Sequence, residues 1–207
     1  MKKRVSNIPP FDDFLSLSGK NFNNTRLLIF HGISGSGKTS NLNYLAHYHS
    51  TFKSGSVKWI WTRHKRFKAQ SIRNHDLVVV DEIVSPFQLP AITKLLRTNK
   101  TVAVATHLNP VWFKTLSPFT PTLSFRTDAS TEKIGRYLEQ NNISYSPESI
   151  ISFRESYGSN YVDLQCLLEN CPGHNFDDAL NFNRKFNKIK SFTPENWIPT
   201  LPRLKFD

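Results

Sequence analysis

Sulfur is nearly missing from this chain of 207 residues: it has two cysteines, Cys166 and Cys171, and one methionine. Two cysteines make neither a disulfide framework nor a four-ligand zinc set, so a reduced, cytoplasmic setting is expected. Long apolar runs are missing too. The strongest, "LVVV" and "VAVA", are far too short to cross a bilayer, and no membrane association is expected. The opening "MKKRVSNIPPFDDF" is basic, but no apolar stretch follows it as a secretory signal would require. The third scarcity is negative charge. No Asp or Glu occurs between Phe14 and His75.

That scarcity is local. Up to Arg126 there are 18 Lys and Arg against 5 Asp and Glu, whereas from Thr127 onward there are 9 against 11, within an overall net charge of +11. A basic first part followed by a near-neutral second part suggests a polyanionic partner for the first, with nucleic acid the leading candidate. Hydrophobic content of 38% fits a globular protein with a proper core.

Short apolar runs alternate with helical patterns. "RLLIF" (Arg26–Phe30), "VKWIW" (Val57–Trp61), "LVVVD" (Leu77–Asp81) and "TVAVAT" (Thr101–Thr106) read as strands, the third as a central one. "TLSFRT" (Thr122–Thr127) reads as an edge strand. Helical spacing is carried by Leu42, Tyr44, Leu45 and Tyr48, and by Ile92, Leu95 and Leu96. The expected fold class is α/β, a parallel-sheet core followed by a small helical lid. Ile134, Tyr137 and Leu138 mark the first lid helix. Ser146, Pro147 and Gly158 supply the cap, first turn and stop of the second. "NYVDLQCLLEN" and "DDALNFNRKFNKIK" are the third and fourth. The expected division is a 1–25 arm, a 26–128 core, a 129–175 lid, and a 176–207 C-terminal helix and basic, Pro-containing tail that could dock a protein partner.

"HGISGSGKTS" carries the chemistry. Gly32, Gly37, Lys38 and Thr39 match G-x-x-x-x-G-K-[ST]. The backbone N–H groups of Gly32, Ile33, Ser34, Gly35, Ser36, Gly37, Lys38, Thr39 and Ser40 are candidates to cradle phosphates at a helix N-terminus. Lys38 can reach the terminal phosphates and the Thr39 hydroxyl can ligate Mg²⁺. Asp81, at the C-terminal end of a buried strand, is the second candidate metal ligand. Glu82 is placed to polarise a water against the γ-phosphate. Thr106 is the candidate sensor of that phosphate, with His107 beside it.

These residues resemble the P-loop ATPases with an added strand between the phosphate loop and the carboxylate, and within them the AAA+ ATPases. The lid stretch "SPESIISFRESYGSNYVDLQCLLE" looks closest to the bacterial replication initiator and related helicase loaders. The resemblance implies ATP and Mg²⁺ as cofactors, ATP hydrolysis, a possible homo-oligomer, and work on nucleic acid, taken as DNA, in replication, helicase loading or transposition. It also implies a lid arginine at the position occupied here by Val162, and a finger arginine before the last core strand, where only Lys114 stands and Arg126 lies just beyond. Without these, slow turnover unless a partner helps is expected. The alternatives are an ATP-switched binding module with little turnover and a thymidine-kinase-like nucleoside kinase. "DEIV" and "NKTV" do not fit the GTPase motifs.

Arg63, Lys65, Arg66, Lys68 and Arg73 follow the second strand with no acid among them, and Phe67 lies between them. Cations for phosphates beside an aromatic for bases make this the expected nucleic-acid segment. Trp59 and Trp61 are expected to be structural and Phe67 to be exposed.

Overall fold

The apolar runs assemble into a single five-stranded parallel sheet. The computed structural model describes residues 15–62, 67, 69–116, 119–158, 160–169 and 175–191. The strands are β1 (Leu27–His31), β2 (Val57–Trp61), β3 (Leu77–Ile83), β4 (Thr101–Thr106) and β5 (Thr122–Arg126), in the order β2-β3-β4-β1-β5. β4 therefore lies between the strand that leads into the glycine loop and the strand that carries Asp81. β5 is an edge strand and β3 an inner one, as their sequences suggest.

Residue alternation sorts the side chains to two faces. Leu27, Ile29, Val78, Val80, Val102 and Val104 meet Leu89, Ile92, Leu95 and Leu96 of helix α2 (Leu89–Thr98) and Phe113 of α3 (Val111–Leu116). Leu28, Phe30, Leu77, Val79, Ala103 and Ala105 meet Leu42, Leu45 and Ala46 of α1 (Lys38–His47). Both faces are thus covered, which is why the inner strands are apolar throughout. The six-residue α3 has too short a period to show in the sequence. Its local signal is Asn109–Pro110, where the Asn109 side chain accepts from Val111 N at 3.0 Å.

Four helices follow: α4 (Thr131–Gln140), α5 (Pro147–Tyr157), α6 (Tyr161–Glu169) and α7 (Phe176–Ser191). Ser130 caps α4, and Ser146 caps α5, whose chain stops at Gly158. Ile134, Leu138, Ile150, Phe153, Leu164 and Leu167 form the lid's own core.

Two expected boundaries need correction. Leu17 and Phe22 are fully buried against α1 and the sheet, so residues 15–25 pack as part of the core rather than as an arm. His49 fastens them: its Nδ1 accepts from Thr51 N at 3.2 Å, so Nε2 carries the hydrogen and donates to Leu17 O at 2.8 Å. At the other end, Phe176, Ala179 and Leu180 of α7 are buried in the lid core, so the helical unit does not end at residue 175. The tail 192–207 lies outside the described residues.

Among the described residues, no helix is long and apolar enough to cross a membrane.

Candidate functional site

The glycine loop joins the end of β1 to α1, with Gly37 in the left-handed region at φ 90 as the α1 N-cap. Gly32 is fixed by close approach. A Cβ there would run into the Thr127 carbonyl and hydroxyl and into Ser36 Oγ. Ser36 Oγ and Thr127 Oγ1 lie 2.7 Å apart, and Ser36 Oγ also donates to Ile33 O at 2.9 Å. Lys38 is almost fully buried. Its ammonium donates to Gly32 O at 3.0 Å and to Ile33 O. Burial lowers its pKa, while the facing Asp81 and Glu82 raise it.

Thr39 and Asp81 come together: Thr39 Oγ1 donates to Asp81 Oδ2 at 3.0 Å. The Asp81 carboxylate is buried and its pKa is raised by desolvation, opposed by the bonds from Thr39 and from Glu82 N. A hydroxyl and a carboxylate at one point form a hard-oxygen donor set, which fits Mg²⁺. No cluster of three or more His, Cys, Asp or Glu that could hold a metal is found among the described residues.

Glu82 is brought to the same place by a break in β3. In a regular strand Asp81 and Glu82 would point to opposite faces. Here the register with β4 shifts between Val80 and Ile83, and Glu82 takes φ 66, a left-handed conformation costing about 1–3 kcal/mol for a residue with a side chain. Both carboxylates then line the cleft. The buried Thr62, just past β2, holds the break. Its N–H donates to Asp81 O at 3.2 Å, and its hydroxyl donates to Asp81 O at 3.0 Å and Glu82 O at 2.6 Å.

The cleft has a volume of about 360 Å³. Its floor is Ser34 to Asn41 with Asp81, Glu82 and His107. Gly32 and Ile33 lie behind it, giving Lys38 their carbonyls. Its other wall is the lid and the chain leading into it: Asp128, then Lys133, Tyr137 and Gln140 on one face of α4, and Tyr161, Val162 and Gln165 of α6, with Leu15 closing the end. The Lys133 ammonium is held 2.7 Å from Asp128. Tyr137 and Tyr161 meet edge to face with centroids 6.0 Å apart. Burial, then the charge of Glu169, pushes the Tyr137 hydroxyl pKa up. The lid also grips the loop: Tyr161 N donates to Gly35 O at 3.0 Å, and Asn160 leaves no room for a side chain on Gly35. Sequence reading missed these lid residues because their helical spacing is also that of a packed face. Tyr137, read there as such, turns one way to the lid core and the other to the cleft.

Thr106 requires a correction. It is fully buried and does not line the cleft. Its hydroxyl donates to Ile83 O at 2.7 Å and accepts from Leu108 N at 2.9 Å. It ties the end of β4 to the broken end of β3, and His107 is the residue that reaches the cleft. Val162 stands at the lid edge, half-exposed beside Gly35. Arg126 ends the edge strand opposite His31, whose pKa is lowered by burial and then by this guanidinium. Arg154 donates to Thr131 Oγ1 at 2.8 Å within its own lid.

Of the expected nucleic-acid segment, Arg63, Lys65, Arg66 and Lys68 lie outside the described residues, as does the side chain of Lys114. Phe67 is not an exposed aromatic: it packs with Ile60 and Ile72 against the core. Trp61 is the one half exposed, at 49%, while Trp59 packs against the other face. Arg73 is exposed on the approach to β3.

No protein-family model matches the chain, and no curated protein matches it. Among solved structures it is similar to a DNA replication initiation factor, with a TM-score of 0.55 at 13% identity over 86% of this chain. The chain spans 62% of that structure's length. At such identity the likeness speaks for the fold alone, an α/β fold with a five-stranded parallel sheet flanked by helices.

Proposed function

We propose that the protein binds ATP with Mg²⁺ in this cleft and hydrolyses it slowly, in the service of a nucleic-acid transaction such as replication, helicase loading or transposition. The observation that carries the reading is the meeting of Lys38, Thr39, Asp81 and Glu82 in one cleft through a deliberate break in β3. The loop N–H groups and Lys38 would bind the phosphates, with the Lys38 ammonium exchanging backbone carbonyls for phosphate oxygens. Thr39 and Asp81 would hold the metal, which neutralises phosphate charge when bound. Glu82 would orient a water and take its proton. His107, rather than Thr106, is the polar group at the β4 end that lines the cleft, and it would face the reacting phosphate. Basic composition up to Arg126 supports a nucleic-acid partner, and the replication factor's likeness in fold is consistent with it.

A specific observation favours a second reading, an ATP-dependent binding module with little turnover. The cleft lining contains two lysines, Lys38 and Lys133, and no arginine among the described residues. A positioned arginine is worth roughly 10³–10⁵ in rate in related phosphoryl transfers. Steady-state ATPase assays on the purified chain, alone and with single- and double-stranded DNA, separate the two. Multiple turnover supports the enzyme, a single bound nucleotide without turnover supports the module, and absence of ATP binding removes both.

A further inference from the structure

Of the two lysines that line the cleft, Lys38 belongs to the phosphate loop and Lys133 to the lid. Lys133 is the third residue of α4, after the Ser130 cap, Thr131 and Glu132. A cation in the first turn of a helix works against the dipole, which favours negative charge there. Lysine is also seldom buried, yet the Lys133 side chain is only 14% exposed. Its neighbours behave differently. Glu132 and Arg136 pair with each other at 2.9 Å on the exposed side of α4. Arg154 donates to Thr131 Oγ1 and does not line the cleft. Among the described residues, Lys133 is therefore the cation that the lid turns into the cleft.

Where its ammonium sits is set by Asp128. It donates to the Asp128 carboxylate at 2.7 Å and to the Asp128 carbonyl at 3.1 Å. Asp128 follows Thr127, and Thr127 is fastened to the phosphate loop. The Thr127 N–H donates to His31 O at 2.8 Å, its hydroxyl lies 2.7 Å from Ser36 Oγ, and its carbonyl fills the space that a side chain on Gly32 would need. The lid's cation is thus held next to the chain segment that braces the loop.

Charge sets the direction in which this pair can change. The lining holds three carboxylates, Asp81, Glu82 and Asp128, against two ammonium groups. Lys38 already faces Asp81 and Glu82. A polyphosphate adds several negative charges to that balance. An ammonium on a flexible stem can trade one oxygen acceptor for another without a change of backbone. The Asp128 side chain is 43% exposed, so water can replace the bond it gives up.

We propose that Lys133 is the lid's phosphate-binding cation: it leaves the Asp128 carboxylate for the polyphosphate of a bound nucleotide, and Asp128 is the internal anion that competes for it. The proposal rests on the nucleotide binding proposed above. It supplies a lid-borne charge from α4 rather than from Val162 of α6, and it makes the lid's hold on a nucleotide depend on the number of phosphates.

The test is calorimetric titration of the full chain, in Mg²⁺, with ATP, ADP and adenosine. Lys133→Gln should weaken ATP binding about tenfold or more, because a charge-assisted hydrogen bond is lost. ADP should lose less, and adenosine nothing. Lys133→Arg keeps the charge and should recover most of the ATP affinity. Asp128→Asn removes the competing anion and should tighten ATP binding about threefold or more. Circular dichroism and adenosine affinity show that the variants are folded, and Lys133→Met, which keeps the apolar stem, is read in the same way if the Gln variant does not fold. Unchanged ATP affinity without the ammonium overturns the proposal. Equal losses for ATP and adenosine make Lys133 a packing element of the lid and also overturn it. Asp128→Asn that weakens ATP as Lys133→Gln does overturns the exchange, since the carboxylate would then be helping rather than competing. A parent chain that binds no ATP overturns the proposed function as well, whereas loss of ATP binding in Lys38→Ala with none in Lys133→Gln overturns this inference alone.

Discussion

The hydroxyl of Thr62 sits 2.6 Å from the carbonyl oxygen of Glu82 and 3.0 Å from that of Asp81, at the point where β3 leaves its register. One side chain of the edge-side neighbour strand thereby fixes the backbone that aims both carboxylates. Thr62→Val keeps the shape and removes the donor. The Glu82 carbonyl loses this donor and the Asp81 carbonyl keeps only the Thr62 N–H, a cost of about 1–3 kcal/mol in stability. The same change should lower kcat about tenfold while leaving the KM for ATP within twofold, because Glu82 loses its aim and the phosphate loop does not. Thr62→Ser should recover most of the rate. A Val variant with full kcat would show that the break holds itself.

Lys38→Ala should abolish measurable ATP binding, since in the proposed function the buried ammonium would be the main counter-charge for phosphate. Glu82→Gln should bind ATP as the parent does and lose turnover by at least about 10²-fold, the amide being unable to take a proton. Binding by fluorescent-analogue titration and turnover by phosphate release separate the two effects. Normal hydrolysis by the Gln variant would assign the water to another group.

Arg26 reaches across the sheet edge to the last turn of α2, where its guanidinium donates to Leu96 O and, at 3.1 Å, to Asn99 O. It satisfies carbonyls that a helix end leaves open and adds a cation at the negative end of the dipole. Arg26→Ala should lower stability by about 1–3 kcal/mol in urea denaturation, with ATP affinity unchanged. An unshifted midpoint would mean that water serves those carbonyls equally well.

Asp76 links β3 to β4. It accepts from Lys100 at 2.6 Å and from Ser56 N at 2.8 Å, which pulls its pKa from 3.8 down to about 2. A carboxylate whose folded pKa is depressed contributes stability above its unfolded pKa and loses that contribution as pH falls through the folded one. The stability difference between the parent and Asp76→Asn should therefore be constant near neutrality and shrink between pH 4 and about 2. The pair is partly exposed and the difference should be modest, and weaker in high salt. Parallel stability curves across that pH window would contradict the linkage.

How far the site could be read beforehand depended on whether its residues are neighbours in the chain. The loop from Gly32 to Ser40 is contiguous, and its glycines, lysine and threonine carry their chemistry in their order. Asp81 and Glu82 were legible because a run of β-branched residues ends on them. The sheet was legible too, since inner parallel strands are apolar on both faces. Thr62 was not: a threonine after a strand is ordinary until the neighbouring strand breaks register. Thr106 falls on the α2 face by the ordinary alternation of β4, with Val102 and Val104, and the next residue, His107, is the one that lines the cleft. Phe67 and Trp61 exchanged roles for a similar reason. The crossing segment packs Phe67 onto the sheet beside Ile60 and Ile72, while Trp61 comes at the last position of an edge strand.

The bond from Tyr161 N to Gly35 O means that the lid and the phosphate loop are not free to move separately. Whatever nucleotide does to the Gly35 peptide is felt at the first turn of α6, and whatever grips α6 is felt at Gly35. Such coupling is reciprocal. A macromolecule that binds the helical unit more tightly when nucleotide is present must tighten nucleotide binding by the same factor. The lid can then serve as the place where a partner's affinity is exchanged for the protein's hold on its phosphates, without that partner ever entering the cleft.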